Sequence, residues 1–150
     1  MNILTFDVED WYNCDFISRD YDWSKYEVRI HHGVDSILTE LEDLDLKATF
    51  LCLGWIAEKH PDVVRKIYTQ GHHIGCHSYQ HELVSRTDRK DFISDTKKAK
   101  QLIEDCIGEK INTFRAPGFS ISQKNLWAFE ELVNLGFEID CSIFPASHDY

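Results

Sequence analysis

The chain has 150 residues, 43% of them hydrophobic and 13% aromatic, which suits a single ordered domain with a hydrophobic core. Sixteen Lys and Arg against 26 Asp and Glu leave a net charge of −10, and no basic patch of the kind that neutralises phosphates is present, so neither nucleic acid nor an anionic membrane is expected as a partner. No run approaches the ~18 consecutive apolar residues of a membrane span. Five dispersed cysteines without a CxxC pair argue against a disulfide framework or a cysteine zinc site. With an apolar strand at the very start in place of a signal peptide, the expected location is cytoplasmic.

Strands and helices alternate along the chain. Ile3 to Phe6 reads as the first strand. A long connection follows to about Arg29, carrying Trp11, Tyr12, Phe16, Tyr21, Trp23 and Tyr26. Loops of this length are usually functional or disordered, and so many aromatics favour an ordered wall beside a substrate groove. Val34, Ile37, Leu38, Leu41 and Leu44 recur at helical spacing and predict a helix over residues 30–45. Ala48 to Leu53 is a continuous apolar run, as in a strand buried on both faces. Pro61 opens a helix that Gly71 ends. His72 to Cys76 forms the third strand, and Asp88 caps a helix running to Ile107 before Gly108. Asn112 to Arg115, Ser122 to Leu135 and Phe137 to Ile143 give a fourth strand, another helix and a fifth strand. This order predicts a parallel sheet or barrel with helices outside, in one domain over residues 1–150.

Three places carry chemistry. In Gly75-Cys76-His77-Ser78-Tyr79-Gln80-His81, two histidines four apart meet on one side of a helical turn, close enough to share one ion. They follow a strand, at the end of the sheet where α/β proteins build sites. After the first strand comes Asp7-Val8-Glu9-Asp10, where alternation points Asp7 and Glu9 the same way and Val8 inward. Two histidines and a carboxylate make a site for zinc, or for non-haem iron. Zinc lowers the pKa of its water toward ~7, and the second carboxylate then acts as general base; on these grounds Asp7 and Glu9 are interchangeable. Finally, Arg115-Ala116-Pro117-Gly118 is a strand end and a rigid turn. Arg115 there can orient a carboxylate, and Pro117-Gly118 can aim a backbone N–H at a developing oxyanion.

Together these segments resemble the polysaccharide deacetylase family, the NodB-homology domains of carbohydrate esterase family 4. Thr5-Phe6-Asp7-Val8-Glu9-Asp10 is similar to its first motif, Thr-Phe-Asp-Asp-Gly, and Ala48-Thr49-Phe50-Leu51 to its second strand. Ile74-Gly75-Cys76-His77-Ser78-Tyr79-Gln80-His81 matches its Ile-Gly-Asn-His-(Ser/Thr)-x-x-His motif, and Phe114-Arg115-Ala116-Pro117-Gly118 resembles its Arg-x-Pro motif. The resemblance implies a distorted (β/α)7 barrel and a metal-dependent hydrolase, zinc being the expected ion, that removes acetyl groups from N-acetylated sugars or polysaccharide precursors. Asp7 would be the base, tuned by Arg115. Glu9 (or, against the alternation, Asp10), His77 and His81 would hold the metal; Val8 stands where the usual acidic ligand would be. Gly118 with Pro117 would supply the oxyanion donor, and Trp11 in the aromatic loop would stack on a sugar ring. The family's last motif, a leucine and a histidine acting as general acid, has no counterpart before Tyr150, and His148 comes too early to match it. The expected barrel is therefore incomplete at its C-terminal end. An amidase on a small C–N substrate and a sugar-binding protein that has lost catalysis are the competing readings.

Overall fold

The computed structural model describes residues 3–14, 17 and 21–144; Phe16 and His148 lie outside them. Five strands form one sheet in the order β1-β2-β3-β4-β5: Thr5–Val8, Thr49–Cys52, His73–Cys76, Thr113–Phe114 and Ile139–Asp140. Every pairing is parallel, with Phe6 opposite Phe50, Phe50 opposite Ile74, Cys76 opposite Phe114 and Thr113 opposite Ile139. Parallel neighbours need crossover connections, and these carry the helices α1 (Ile30–Asp43), α2 (Gly54–Lys59), α3 (Pro61–Thr69), α4 (Arg89–Ile107) and α5 (Trp127–Asn134). Short 3-10 turns precede α1 and α4 at Trp23–Lys25 and Val84–Arg86.

The barrel expected from the sequence is not closed. Consecutive strands lie side by side, as in a barrel, but β1 and β5 remain the two ends of an open sheet among the described residues. The five described strands are fewer than the seven the expected barrel needs, and the last does not pair with the first among the described residues. The fifth strand also shrinks from the expected 137–143 to Ile139–Asp140, and the first shifts two residues to Thr5–Val8.

Helices α1, α3 and α4 follow their apolar periods closely. The stripe Ile30, Val34, Leu38 and Leu41 of α1 is buried, as are Phe92, Thr96, Ala99 and Ile103 of α4. Asp88 caps α4 by accepting the Asp91 N–H at 2.8 Å, and Gly108 closes it in a left-handed conformation. Two helical expectations are corrected. α2 was not anticipated: its six residues continue the apolar run of β2 and are too few to display a period. α5 begins at Trp127 rather than Ser122, because Asn125 folds the preceding segment into a turn, accepting from Ser122 N–H at 2.6 Å and donating to Ser120 O at 3.0 Å.

In the long aromatic connection, two of the described rings belong to the core and Tyr21 and Tyr26 pack against it. Tyr12 and Trp23 are fully buried, Tyr12 stacks on Tyr26 at 5.4 Å, and Trp23 meets Trp55 edge-on at 5.2 Å. No helix is long and apolar enough to cross a membrane among the described residues, and all five cysteines are free thiols.

Candidate metal centre and active site

Alternation along β1 delivers the carboxylates. Asp7, in the strand, and Glu9, one residue past it, share a face, while Val8 between them is buried. Beside them, β3 extends its ladder by one bond, from His77 N–H to Cys52 O at 2.8 Å, so that His77 emerges at the same end of the sheet. The expected helical turn between the histidines does not form. Ser78 and His81 instead adopt left-handed backbone (φ 64° and 58°), and Ser78 Oγ accepts the His81 N–H at 3.0 Å. This tight loop brings the two imidazoles to a centroid distance of 5.2 Å. The pairing read from the spacing holds; its geometric cause is different.

Glu9, His77 and His81 each offer one ligand atom, and these atoms lie within 4.8 Å of one another. Glu9 Oε2 is 2.9 Å from His81 Nε2 and 4.0 Å from His77 Nε2. That oxygen is buried, yet no well-aligned hydrogen bond satisfies it. His77 is only 2% exposed, and its Nδ1 is 2.9 Å from the Arg115 carbonyl. A carbonyl can only accept, so Nδ1 carries the proton and the Nε2 lone pair faces the carboxylates. Burial pushes the His77 pKa down, against the raising effect of Asp7 and Glu9. Burial alone would push Glu9 up, but the close approach and charge of His81, then the charge of His77, bring it below the usual carboxylate value. A neutral imidazole and an ionised, under-bonded carboxylate oxygen are the donors a divalent transition metal takes. The residues fit such an ion.

Asp7 stands beside this set, its Oδ2 3.9 Å from His77 Nε2. Its other oxygen accepts from Arg115 Nη1 at 2.7 Å. Arg115 is itself fixed by Nη2 donating to Thr5 Oγ1 at 2.9 Å and Nε donating to Cys141 O at 3.3 Å, with its guanidinium over the Phe119 ring. Thr5 was not singled out from the sequence, although it stands in the first motif. Asp10, the alternative ligand, points elsewhere: it is buried, and its Oδ2 accepts the N–H groups of Arg29 and Ile30 at 2.7 and 2.8 Å, capping α1.

Pro117 and Gly118 occupy the 3-10 turn one residue beyond Arg115, where Gly118 has φ 58°, a backbone conformation favouring glycine. No hydrogen bond joins this turn to the side chains of the cluster among the described residues. Trp11 keeps 44% of its surface exposed while Nε1 donates to Glu27 O at 3.0 Å. It borders a cavity of about 230 Å³ that Asp7, Glu9 and Arg29 share with Phe6 and Ile37. Asp95 carries no signal in the sequence beyond its place in a helix, yet it accepts two backbone amides of the histidine loop.

A profile of polysaccharide deacetylases matches residues 3–137. The chain belongs to the polysaccharide deacetylase family. A peptidoglycan-N-acetylglucosamine deacetylase of Bacillus cereus is 32% identical over 96 residues, covering 63% of this chain and 35% of that protein. The structure of a Mycobacterium smegmatis protein assigned as a polysaccharide deacetylase superposes with a TM-score of 0.78 at 26% identity, covering 92% of this chain and 49% of that one. A family pseudoenzyme of Bacillus anthracis shares the fold with a TM-score of 0.68 at 22% identity, over 92% of this chain and 41% of its own. The chain thus spans half or less of the length of these relatives. The same polysaccharide deacetylase scaffold supports both enzymes and a pseudoenzyme, so function rests on the site residues themselves.

Proposed function

We propose that this chain carries the metal-binding and proton-accepting part of a hydrolase that removes acetyl groups from N-acetylated sugars or polysaccharide precursors. The observation that carries the reading is Asp7, held by Arg115, beside three convergent donors from Glu9, His77 and His81. Those three residues would hold the ion, with zinc the best match to two imidazoles and a carboxylate. When bound, such an ion polarises the acetyl carbonyl and makes water a nucleophile near neutral pH.

The chain's own residues serve the steps up to the tetrahedral intermediate. Arg115 occupies Asp7 Oδ1 and leaves Oδ2 turned toward His77, where it takes the proton of the attacking water. The Arg115 carbonyl keeps His77 in one tautomer. The Gly118 N–H, in a turn preset by Pro117, donates to the oxygen that gains charge as the carbonyl carbon becomes tetrahedral. Trp11, 44% exposed at the rim of the cavity, would contact a sugar ring.

Acetate release from N-acetylglucosamine oligomers by zinc-loaded protein tests the reading. Asp7→Asn should keep the metal and lose release by ~10²-fold or more, since an amide cannot accept the proton. His77→Ala and His81→Ala should each lose most of the metal, and Glu9→Gln should weaken it. Equal metal content in the parent and both histidine variants would overturn the site. Sugar binding without acetate release would favour a binding protein, and cleavage of small ureides alone a related amidase.

A further inference from the structure

The loop between the two histidines is held from outside at four backbone groups of three residues, Ser78, Tyr79 and Gln80. Asp95, in the second turn of α4, accepts the Tyr79 N–H at 2.7 Å with Oδ2 and the Gln80 N–H at 3.1 Å with Oδ1. From the other side, the first turn of α2 donates: Gly54 N–H to Ser78 O at 2.8 Å and Trp55 N–H to Tyr79 O at 3.2 Å. The two helices touch without a gap, because a Cβ on Gly54 would stand 2.7 Å from Ala99 Cα, one turn along α4 from Asp95. Both clamps therefore stand on one close-packed pair of helices.

Helix α4 does not need this carboxylate for itself. Asp88 already caps it, and Asp95 sends its side chain out of the helix to another segment. No backbone carbonyl takes the Tyr79 or Gln80 N–H among the described residues, so without Asp95 two amides of the loop would lose their acceptor. The carboxylate is partly buried: burial pushes its pKa up, with a small push in the same direction from Glu82, opposed by those two N–H donors and the charge of Lys98. The loop it grips contains Ser78 and ends at His81, both left-handed. Such backbone persists only where its surroundings over-determine it.

We infer that Asp95 is a positioning residue for the metal centre, its two oxygens fixing the Tyr79 and Gln80 amides so that the His81 imidazole faces Glu9 and His77. The inference rests on the metal reading proposed above. A residue that merely stabilised the fold would lower the melting temperature and leave the affinity of the folded protein unchanged. A positioning residue alters affinity while the protein stays folded.

The test is titration of metal-stripped protein with Co²⁺ alone, read by its visible absorption, and competition with Zn²⁺, well below the melting temperature. Asp95→Asn, which keeps one acceptor oxygen, should melt cooperatively and bind ~10–100-fold more weakly, the loss typical of removing a group that orients a ligand. Asp95→Glu, with both oxygens, should recover part of that affinity. Asp95→Ser, whose short hydroxyl serves at most one amide, replaces Asp95→Asn should the latter fail to fold, with the same loss expected. Parental affinity in the folded Asp95→Asn or Asp95→Ser protein overturns the inference. His81→Ala, measured in parallel, separates the two failures. Unchanged binding there defeats the metal reading itself, whereas loss there with retention in Asp95→Asn defeats only the positioning role.

Discussion

Arg115 acts on the site with both its main chain and its side chain, and the two effects can be separated. Its carbonyl orients His77, whereas its guanidinium holds Asp7 and Thr5. Arg115→Gln keeps the carbonyl and removes the charged partner of Asp7. We expect metal affinity to stay within a few-fold and acetate release to fall ~10²-fold or more. Loss of metal in this variant would mean that the side chain also supports the loop. Acid should act on the neighbouring groups in one direction. Both His77 and Glu9 have pKa values lowered in the fold, His77 chiefly through burial and Glu9 through the two histidines, which outweigh its own burial. Below the ordinary histidine value of 6.5 the unfolded chain binds a proton that folded His77 resists. The stability linked to this group is thus present above that pH and lost as pH falls through the folded value; Glu9 adds the same sign below 4.5. Metal-free protein should therefore lose melting temperature from pH 7.5 to 5.5, and His77→Gln should lose less. An equal loss in both proteins would assign the acid sensitivity to other groups.

At the scale of elements, the sequence announced most clearly what repeats with a period or sits in a short motif. The apolar stripes of α1, α3 and α4 and the Asp88 cap were legible because neighbouring residues alone determine them. The carboxylate, histidine and arginine segments were legible because each follows a strand, and a parallel sheet gathers such ends. What remained hidden depends on partners distant in the chain: Asp95 reaches a loop 15 residues back, Thr5 meets an arginine 110 residues on, and Asp10 caps a helix 20 residues away. The last of these separates Asp10 from Glu9. Asp10→Ala should destabilise the fold by about 1–2 kcal/mol, the usual worth of a helix cap, and leave metal content unchanged. Metal loss would return it to the ligand set. Contact between α2 and α4 is equally specific. A methyl group on Gly54 would meet the Ala99 backbone, so Gly54→Ala should cost about 1–3 kcal/mol through overpacking, measurable by urea denaturation. Parental stability would show that the helices part freely.

At the scale of the molecule, β1 and β5 are the two ends of one sheet among the described residues. β1 and β5 each pair with one neighbour among the described residues, and apolar side chains gather at both ends: Ile3 is 79% exposed beside Leu4 near β1, and Ile143 is 59% exposed beside Phe144 after β5. Unpaired strand edges flanked by apolar surface are templates for pairing with another chain. The net charge of −10 opposes association at long range, but salt shortens that repulsion to about 8 Å at physiological ionic strength and leaves the contact itself attractive. The 150-residue chain is therefore expected to self-associate reversibly, more strongly as salt rises. Sedimentation velocity across a concentration series at low and high salt measures this directly. Replacing Ile143 with lysine should return the protein to monomer, and because that side chain is 59% exposed the substitution should leave the melting temperature nearly unchanged. A monomer at every concentration and salt would mean that short strands and charge already protect these edges. Association that survives Ile143→Lys would move the contact to the β1 edge, where Ile3→Lys becomes the deciding variant.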